Sequence, residues 1–235
     1  MTLALAAVAV AVGAAAQSVS GIGFALVGGP LLFTVFGARE GVRVAVVLSM
    51  LVNVGVLARE RRSVMGRRLL PVLMTALAST PLLVHVLAGT HPRALRAAAG
   101  AVIVVGSALV AAGRSRDTGV AGGIVAGLVS ATMNVLASAG GPAVAVYATG
   151  AHWDPGRLRA TLQAYFLALN VVTLVSLGAP SWSLRQAGLL VAALIVGSTA
   201  GAWLAPRVPA QRARTATLVL AAAGGLAVLI AAIAG

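Results

Sequence analysis

The residues best suited to chemistry form two identical runs, Gly28-Gly29-Pro30 and Gly140-Gly141-Pro142, each in the middle of a long apolar segment. Proline suits the first turn of a helix, because its missing N–H is a donor that this turn leaves unpaired anyway. We therefore expect Pro30 and Pro142 each to begin a half-helix whose free amides attract an anion. The alternative is that each run only kinks a helix so that its neighbours pack closely.

Uncharged polar side chains near both runs could complete the hydrogen bonds to an anion. Asn53 and Asn170 are amides in apolar segments, at matching places in the two halves of the chain. An amide in lipid is unfavourable, so each is expected to face the protein interior, either along a substrate path or against a neighbouring helix backbone. The predicted substrate-binding residues are Gly28, Gly29, Pro30, Gly140, Gly141, Pro142, Ser18, Ser20, Asn134, Ser138, Asn53, Asn170, Gln163 and Arg159.

Arg159 and Gln163 belong to the apolar segment that follows the second run. Arg43 has the corresponding place after the first run. An arginine there is either an interfacial anchor or a group at the mouth of a pathway that binds an oxyanion with two hydrogen bonds.

Residues for catalysis or metal binding are sparse. The three histidines are scattered and there is no cysteine, so we predict no metal site and no cofactor. The four acidic residues lie in or beside loops, which argues against a buried acidic proton relay. No nucleophile and base, acid pair or Walker-type motif occurs, so we predict that the chain is not an enzyme.

The composition is that of a membrane protein. Of 235 residues, 60% are hydrophobic and 9% are charged, whereas a soluble domain has about a quarter charged residues. All 17 basic residues are arginines, dispersed over short loops, which favours membrane anchoring over nucleic-acid binding. We expect a multi-pass protein of the cell membrane whose partners are the lipid bilayer and a small anion. Nucleic acid is excluded as a partner, and a homo-oligomer stays open.

Eight apolar runs predict an all-α polytopic fold with 8–10 membrane segments. Residues 2–36 and 118–150 are too long for one straight span and too short for two full spans with a turn. Each should therefore be a broken helix or a re-entrant hairpin. The eight runs are residues 2–36, 44–58, 69–88, 94–112, 118–150, 160–179, 186–206 and 215–234.

The two long segments begin two internal repeats, residues 1–112 and 118–235, joined by the polar stretch Gly113-Arg114-Ser115-Arg116-Asp117. Each repeat runs from its Gly-Gly-Pro through a glycine and an arginine to an Asn-Val pair. If both long segments cross twice, one side of the membrane collects twelve arginines and the other five. The positive-inside rule then places both termini outside the cytoplasm, and five crossings per repeat make the repeats inverted. With eight crossings the count is nine against eight, which decides nothing.

The chain resembles the sulfite exporter TauE/SafE family of membrane transporters over essentially its whole length. The resemblance is carried by Ser20-Gly21-Ile22-Gly23 with Gly28-Gly29-Pro30-Leu31-Leu32, and by the stretches from Gly140 to Tyr147 and from Arg159 to Asn170. In the first half, Phe24-Ala25-Leu26-Val27 departs from the glycine-rich pattern of the family. The resemblance implies an anion carrier, since members of the family are associated with export of sulfite, sulfoacetate and related anions. The Gly-Gly-Pro runs independently predict that the anion binds at half-helix N-termini near the bilayer midplane.

Two classes of function follow. The first is a secondary transporter that exports small sulfur-containing or organic anions. A negative cell interior drives an anion outward by about 2.3 kcal/mol per charge per 100 mV, so export needs no further energy source. The alternative is a non-transporting intramembrane assembly subunit or an enzyme.

Overall fold

A computed structural model describes residues 2–20, 24–60, 63–113 and 118–234. Within these ranges the chain is helical, with no strand. It contains ten α-helices, which are α1 (Thr2–Ser20), α2 (Phe24–Phe36), α3 (Ala38–Glu60), α4 (Gly66–Leu87), α5 (Pro92–Ala112), α6 (Gly119–Ala137), α7 (Gly141–Gly150), α8 (Pro155–Leu177), α9 (Leu184–Leu204) and α10 (Ala210–Ala234).

Eight of these helices are long and apolar enough to cross a membrane, which confirms the predicted all-α polytopic class. The outer surface carries many exposed large apolar side chains, among them Val175, which is 80% exposed. In water such a surface would be unfavourable, whereas lipid accommodates it. The chain is therefore a multi-pass membrane protein. The remaining helices, α2 and α7, have 13 and 10 residues. At 1.5 Å per residue they are about 20 and 15 Å long, too short to span the hydrocarbon core.

Both long apolar segments are discontinuous, as the sequence predicts. The first divides into α1 and α2 and the second into α6 and α7. The quoted residues Gly21, Ile22 and Gly23, and residues 114–117 of the stretch between the proposed repeats, lie outside the described residues.

The prediction that Pro30 starts a helix is wrong. Helix α2 begins at Phe24 and holds Pro30 in its interior. The apolar residues Phe24 to Val27 carry no turn or capping signal, so the helix continues through them into the glycine pair. For the second run the prediction is confirmed, because α7 begins at Gly141 and Pro142 stands in its first turn.

The helices of one half pack mainly against those of the other. Helix α1 lies against α9 as α6 lies against α4, while α5 pairs with α10 and α3 with α8. Small residues allow these close approaches. A Cβ atom on Gly201 of α9 would lie 2.6 Å from the carbonyl oxygen of Ala15, and one on Gly127 of α6 would lie 2.4 Å from that of Val72.

Helices α3 and α8 run in opposite directions. At one end, Arg43 near the start of α3 lies beside Gly178, which follows α8. At the other end, Arg157 near the start of α8 donates hydrogen bonds of 3.1 Å to the carbonyls of Ser63 and Val64, which follow α3. The pair therefore forms an antiparallel centre around which the short helices α2 and α7 are placed.

Candidate anion site

A small cavity lies where the start of α7 meets the middles of α3 and α8 and the start of α2. Its volume is about 70 Å³, enough for a small ion or a few water molecules. Gly140, Gly141 and Pro142 form part of its wall. Its polar side chains are Gln17, Ser49, Asn53, Asn134, Ser138 and Asn170. We refer to it as the central cavity.

The chain reaches the central cavity through a tight reversal between α6 and α7. Ser138 caps α6 in the left-handed conformation, with φ of 52°, and its amide donates to the carbonyl of Asn134 at 2.7 Å. A non-glycine residue in this conformation is uncommon and strained. Ser130 then donates through its hydroxyl to the carbonyl of Gly140 at 2.7 Å. These bonds hold the N-terminus of α7, whose first amides have no partners within the helix, against the cavity.

Two hydrogen-bond donors in the cavity wall are buried without a partner. The Nδ2 atom of Asn53 and the Oγ atom of Ser138 make no hydrogen bond. Their residues are only 4% and 7% exposed. Leaving a buried polar group unpaired costs about 1–3 kcal/mol, so such groups call for a specific explanation. Both donors belong to residues that line the cavity, where a bound acceptor would satisfy them.

A second amide is held in place by neighbours. The Nδ2 atom of Asn134 donates to Oδ1 of Asn170 at 3.1 Å and to Oγ1 of Thr173 at 3.0 Å. The Thr173 hydroxyl itself donates to the carbonyl of Leu169. All three bonds are buried, and Asn134 donates both of its amide hydrogens to side chains of α8. These bonds fix the side chain of Asn170 at the cavity, whose wall also includes Asn134.

The start of α2 also faces the central cavity, through Phe24, Ala25 and Leu26. The amide of Phe24 donates to Oε1 of Gln17 at 3.1 Å, so the end of α1 caps the start of α2. Two helix N-termini therefore meet at one cavity, although the first of them begins six residues before Pro30. Gln17 was absent from the predicted site. Its signal was a polar side chain late in an apolar run, shortly before a helix start.

Several predicted residues lie away from the cavity wall. Gly28 and Gly29 sit within α2, where a Cβ on Gly28 would come 3.2 Å from the carbonyl oxygen of Ala9. Pro30 packs against α10, since a Cβ on Gly224 would come 2.9 Å from its ring. These contacts match the alternative of close helix packing.

The remaining predicted residues also fall outside the wall. Ser18 and Ser20 donate to carbonyls of their own helix, at 2.9 and 2.7 Å. Gln163 is 2% exposed and buried on α8, with Oε1 unpartnered, but it is not part of the cavity wall. Arg159 is exposed on the same helix.

The chemistry of the central cavity is that of a neutral donor site. None of the described residues that line it carries a carboxylate or a cationic side chain. Its electrostatic character therefore comes from helix N-termini, each worth roughly half a positive charge, and from amide and hydroxyl donors. Over the described part of the chain, no three His, Cys, Asp or Glu side chains come together as metal ligands would.

Comparison with known proteins places the chain in a family. A search of curated proteins and a search of solved structures returned no match. The family model "Sulfite exporter TauE/SafE" matches residues 5–228, nearly the whole chain. This family is one of membrane transporters for sulfite and related anions rather than of enzymes. Because the match runs from α1 to α10 and includes both interrupted segments, the chain belongs to the sulfite exporter TauE/SafE family.

Proposed function

We propose that the protein is a secondary transporter that exports sulfite, sulfoacetate or a related small anion, and that the central cavity is its binding site. The observation that carries this proposal is the pair of unpartnered buried donors, Asn53 Nδ2 and Ser138 Oγ, beside the N-terminus of α7. An oxyanion offers several acceptors and a negative charge, which these donors and the helix N-termini of α2 and α7 would satisfy together.

Neutral donors suit a site that must release its ligand. A lysine or arginine in a buried site would hold an anion through a full charge, whereas amides and partial helix charges bind it more weakly. Transport requires binding that is favourable enough to load and weak enough to release. In the middle of the bundle the anion would thus be bound by helix N-termini and amide groups, while the arginines lie at the ends of the helices.

The orientation of the protein in the membrane is assigned from the arginine distribution along the sequence. In the sequence count that returns each long apolar segment to the side on which it began, one side has twelve arginines and the other five. The twelve are Arg59, Arg61, Arg62, Arg67, Arg68, Arg114, Arg116, Arg157, Arg159, Arg207, Arg212 and Arg214, of which Arg61, Arg62, Arg114 and Arg116 lie outside the described residues, and the five are Arg39, Arg43, Arg93, Arg96 and Arg185. We assign the end with twelve to the cytoplasm, with both termini outside, in the plasma membrane. The two halves, residues 1–112 and 118–235, would then be inverted repeats, a plan that supports alternating access. The antiparallel pair α3 and α8 and the matched packing of α1 with α9 and α6 with α4 support this plan.

The test measures sulfite efflux from proteoliposomes that contain the full chain, with an inside-negative potential set by potassium and valinomycin. We expect flux that increases with the potential and falls about tenfold in the Asn53→Ala and Ser138→Ala variants, because each removes a donor worth about 1.5 kcal/mol to a charged ligand. Neither variant should lose folding stability, since neither donor has a protein partner to lose.

Thr80→Ala is the matched control. Thr80 is fully buried but donates to the carbonyl of Ala76 within α4 and does not line the central cavity. It should keep its flux. Unchanged flux in both cavity variants would place the site elsewhere, and no flux of sulfite, sulfoacetate or any other small anion would favour a non-transporting subunit.

A further inference from the structure

We infer that the protein has a second anion-binding site. It lies in a separate cavity at the start of α3, the end of this helix that faces away from the cytoplasm. This inference rests on the proposed function, since it extends the path of the same anion. The cavity, which we call the outer cavity, has a volume of about 220 Å³. It lies between the start of α3 and the ends of α4, α6 and α8. Arg39, Arg43 and Ser176 are the polar residues of its wall.

Arg43 lines this cavity and has one donor without a protein partner. Its Nη1 atom donates to Oε2 of Glu40 at 3.1 Å, while its Nε atom is buried and has no hydrogen-bond partner. Glu40 is engaged on its other side by the backbone amide of Ser181. The carboxylate is therefore fixed at one edge of the guanidinium, while the Nε–H has no acceptor from the protein.

Arg39 adds the excess charge. Its Nη2 atom donates to the carbonyls of Leu87 and Thr90, each at 3.3 Å, and to that of Ala88, at the end of α4. These carbonyls lie at the C-terminal end of α4 and carry only a partial negative charge, which offsets part but not all of the charge of Arg39. Counted by formal charges, Arg39, Arg43 and the Glu40 carboxylate paired to Arg43 leave one excess positive charge beside the cavity. A cavity with one excess cation and a free Nε–H suits a small oxyanion rather than a cation or an apolar ligand.

Residues of the same three helices, α3, α6 and α8, line both the outer and the central cavity. On α3, Arg39 and Arg43 precede Ser49 and Asn53; on α8, Asn170 precedes Ser176. Phe33, Val46, Ala137 and Leu174 belong to one apolar cluster. The same cluster contains Leu26 of the central wall and Val42 of the outer wall. We assign to this cluster the barrier between the two cavities. An anion that leaves the central cavity would pass it and meet Arg43 before reaching the solvent.

Equilibrium binding of radiolabelled sulfite to the purified full chain tests the inference. The intact protein should bind two sulfite ions. Arg43→Gln should lose one of them, with at least a tenfold weaker affinity at that site, and Asn53→Ala should lose the other. Arg185→Gln is the matched control, because it removes the same charge from an exposed position outside both cavities. It should bind as the intact protein does.

Failure of the inference is distinguishable from failure of the proposed function. Two sites in Arg43→Gln, or an equal loss in Arg185→Gln, would overturn the outer site while leaving the Asn53 result intact. Loss of the Asn53 effect alone would instead overturn the central site. If Arg43→Gln does not fold, Glu40→Gln decides the matter: removing the competing carboxylate should tighten the outer site about tenfold, and unchanged or weaker binding would contradict the inference.

Discussion

The two Gly-Gly-Pro runs have the same sequence and different structures. In the second, α7 starts at Gly141 beside the central cavity. In the first, the glycines and Pro30 lie inside α2 and pack against α1 and α10. The start of α2 still reaches the same cavity, but through Phe24 and its cap on Gln17.

The residues that precede each run account for this difference. Ser138 ends α6 in a left-handed conformation, and Ser130 secures the carbonyl of Gly140, so a new helix must begin. Before Gly28 there are four apolar residues that favour an uninterrupted helix in lipid. A short motif therefore marks a change of helix only where a preceding residue has already ended the earlier helix. The same tripeptide otherwise serves as a packing surface.

Gly140→Ala should have the largest effect of the variants that separate the two runs. A Cβ at this position would lie 2.6 Å from Oγ and 2.8 Å from the carbonyl oxygen of Ser130, so the reversal must shift. We expect at least a tenfold loss of sulfite flux in proteoliposomes and a destabilisation of about 1–3 kcal/mol in thermal unfolding. Gly141→Ala is the control, because its Cβ would meet only the Phe166 ring at 3.4 Å. Equal effects of the two variants would contradict the steric argument.

Pro30→Ala and Pro142→Ala compare the two prolines directly. Within α2 the alanine restores an N–H that can donate to the carbonyl of Leu26, a gain of up to about 3 kcal/mol that lost packing against Gly224 partly offsets. We expect Pro30→Ala to raise the thermal unfolding temperature. Pro142→Ala should leave it nearly unchanged, because the first turn of α7 does not use this N–H. A larger rise in unfolding temperature for Pro142→Ala than for Pro30→Ala would instead place Pro142 in the interior of a helix.

Gly28→Ala should lower stability without changing sulfite affinity. Its Cβ would come 3.2 Å from the carbonyl oxygen of Ala9, close enough to push α1 and α2 apart by a few tenths of an ångström. The expected loss is about 1 kcal/mol in thermal unfolding, with the binding constant of sulfite unaltered. A weaker binding constant at unchanged stability would instead place the first run at the substrate.

Ser18→Ala should have the smallest effect. Ser18 bonds to the carbonyl of Ala14 in its own helix, and that carbonyl belongs to the α-helix in any case. We expect changes within about 0.5 kcal/mol in unfolding and no change in flux. Ser138→Ala, which removes an unpartnered donor of a residue in the central cavity wall, should by contrast reduce the flux. The difference in flux between the two variants distinguishes a serine bonded within its helix from one that binds the anion.

Much of the fold could be predicted from the sequence because lipid imposes strong constraints. Long apolar runs must be helical, since no water satisfies their backbone groups, and a run of the wrong length must be interrupted. This reasoning identified both interrupted segments. Asn53, Asn134, Ser138 and Asn170 are predicted from the sequence to be buried and to bind substrate, because a polar side chain in an apolar membrane helix is unfavourable unless it faces the protein interior. The four residues do line the central cavity.

The sequence does not indicate which other polar residues line the central cavity. Gln163 is as polar and as buried as Asn170, yet only Asn170 is on the wall, because the rotation of α8 decides which side chain faces inward. Gln17 enters the site because its side chain reaches the amide of Phe24, a contact that depends on how α1 and α2 meet. The spacing of residues in the sequence specifies neither how a helix is rotated about its axis nor how the ends of two helices meet.

The sequence alone determined that this is a polytopic helical membrane protein with two interrupted segments, because hydropathy and segment length follow directly from composition along the chain. The tertiary structure decided which of the two Gly-Gly-Pro runs begins a helix at the cavity. The reason is that a helix start requires hydrogen bonds to its neighbours, here those of Ser130 and Ser138, and these bonds exist only once α6 and α7 have folded against each other.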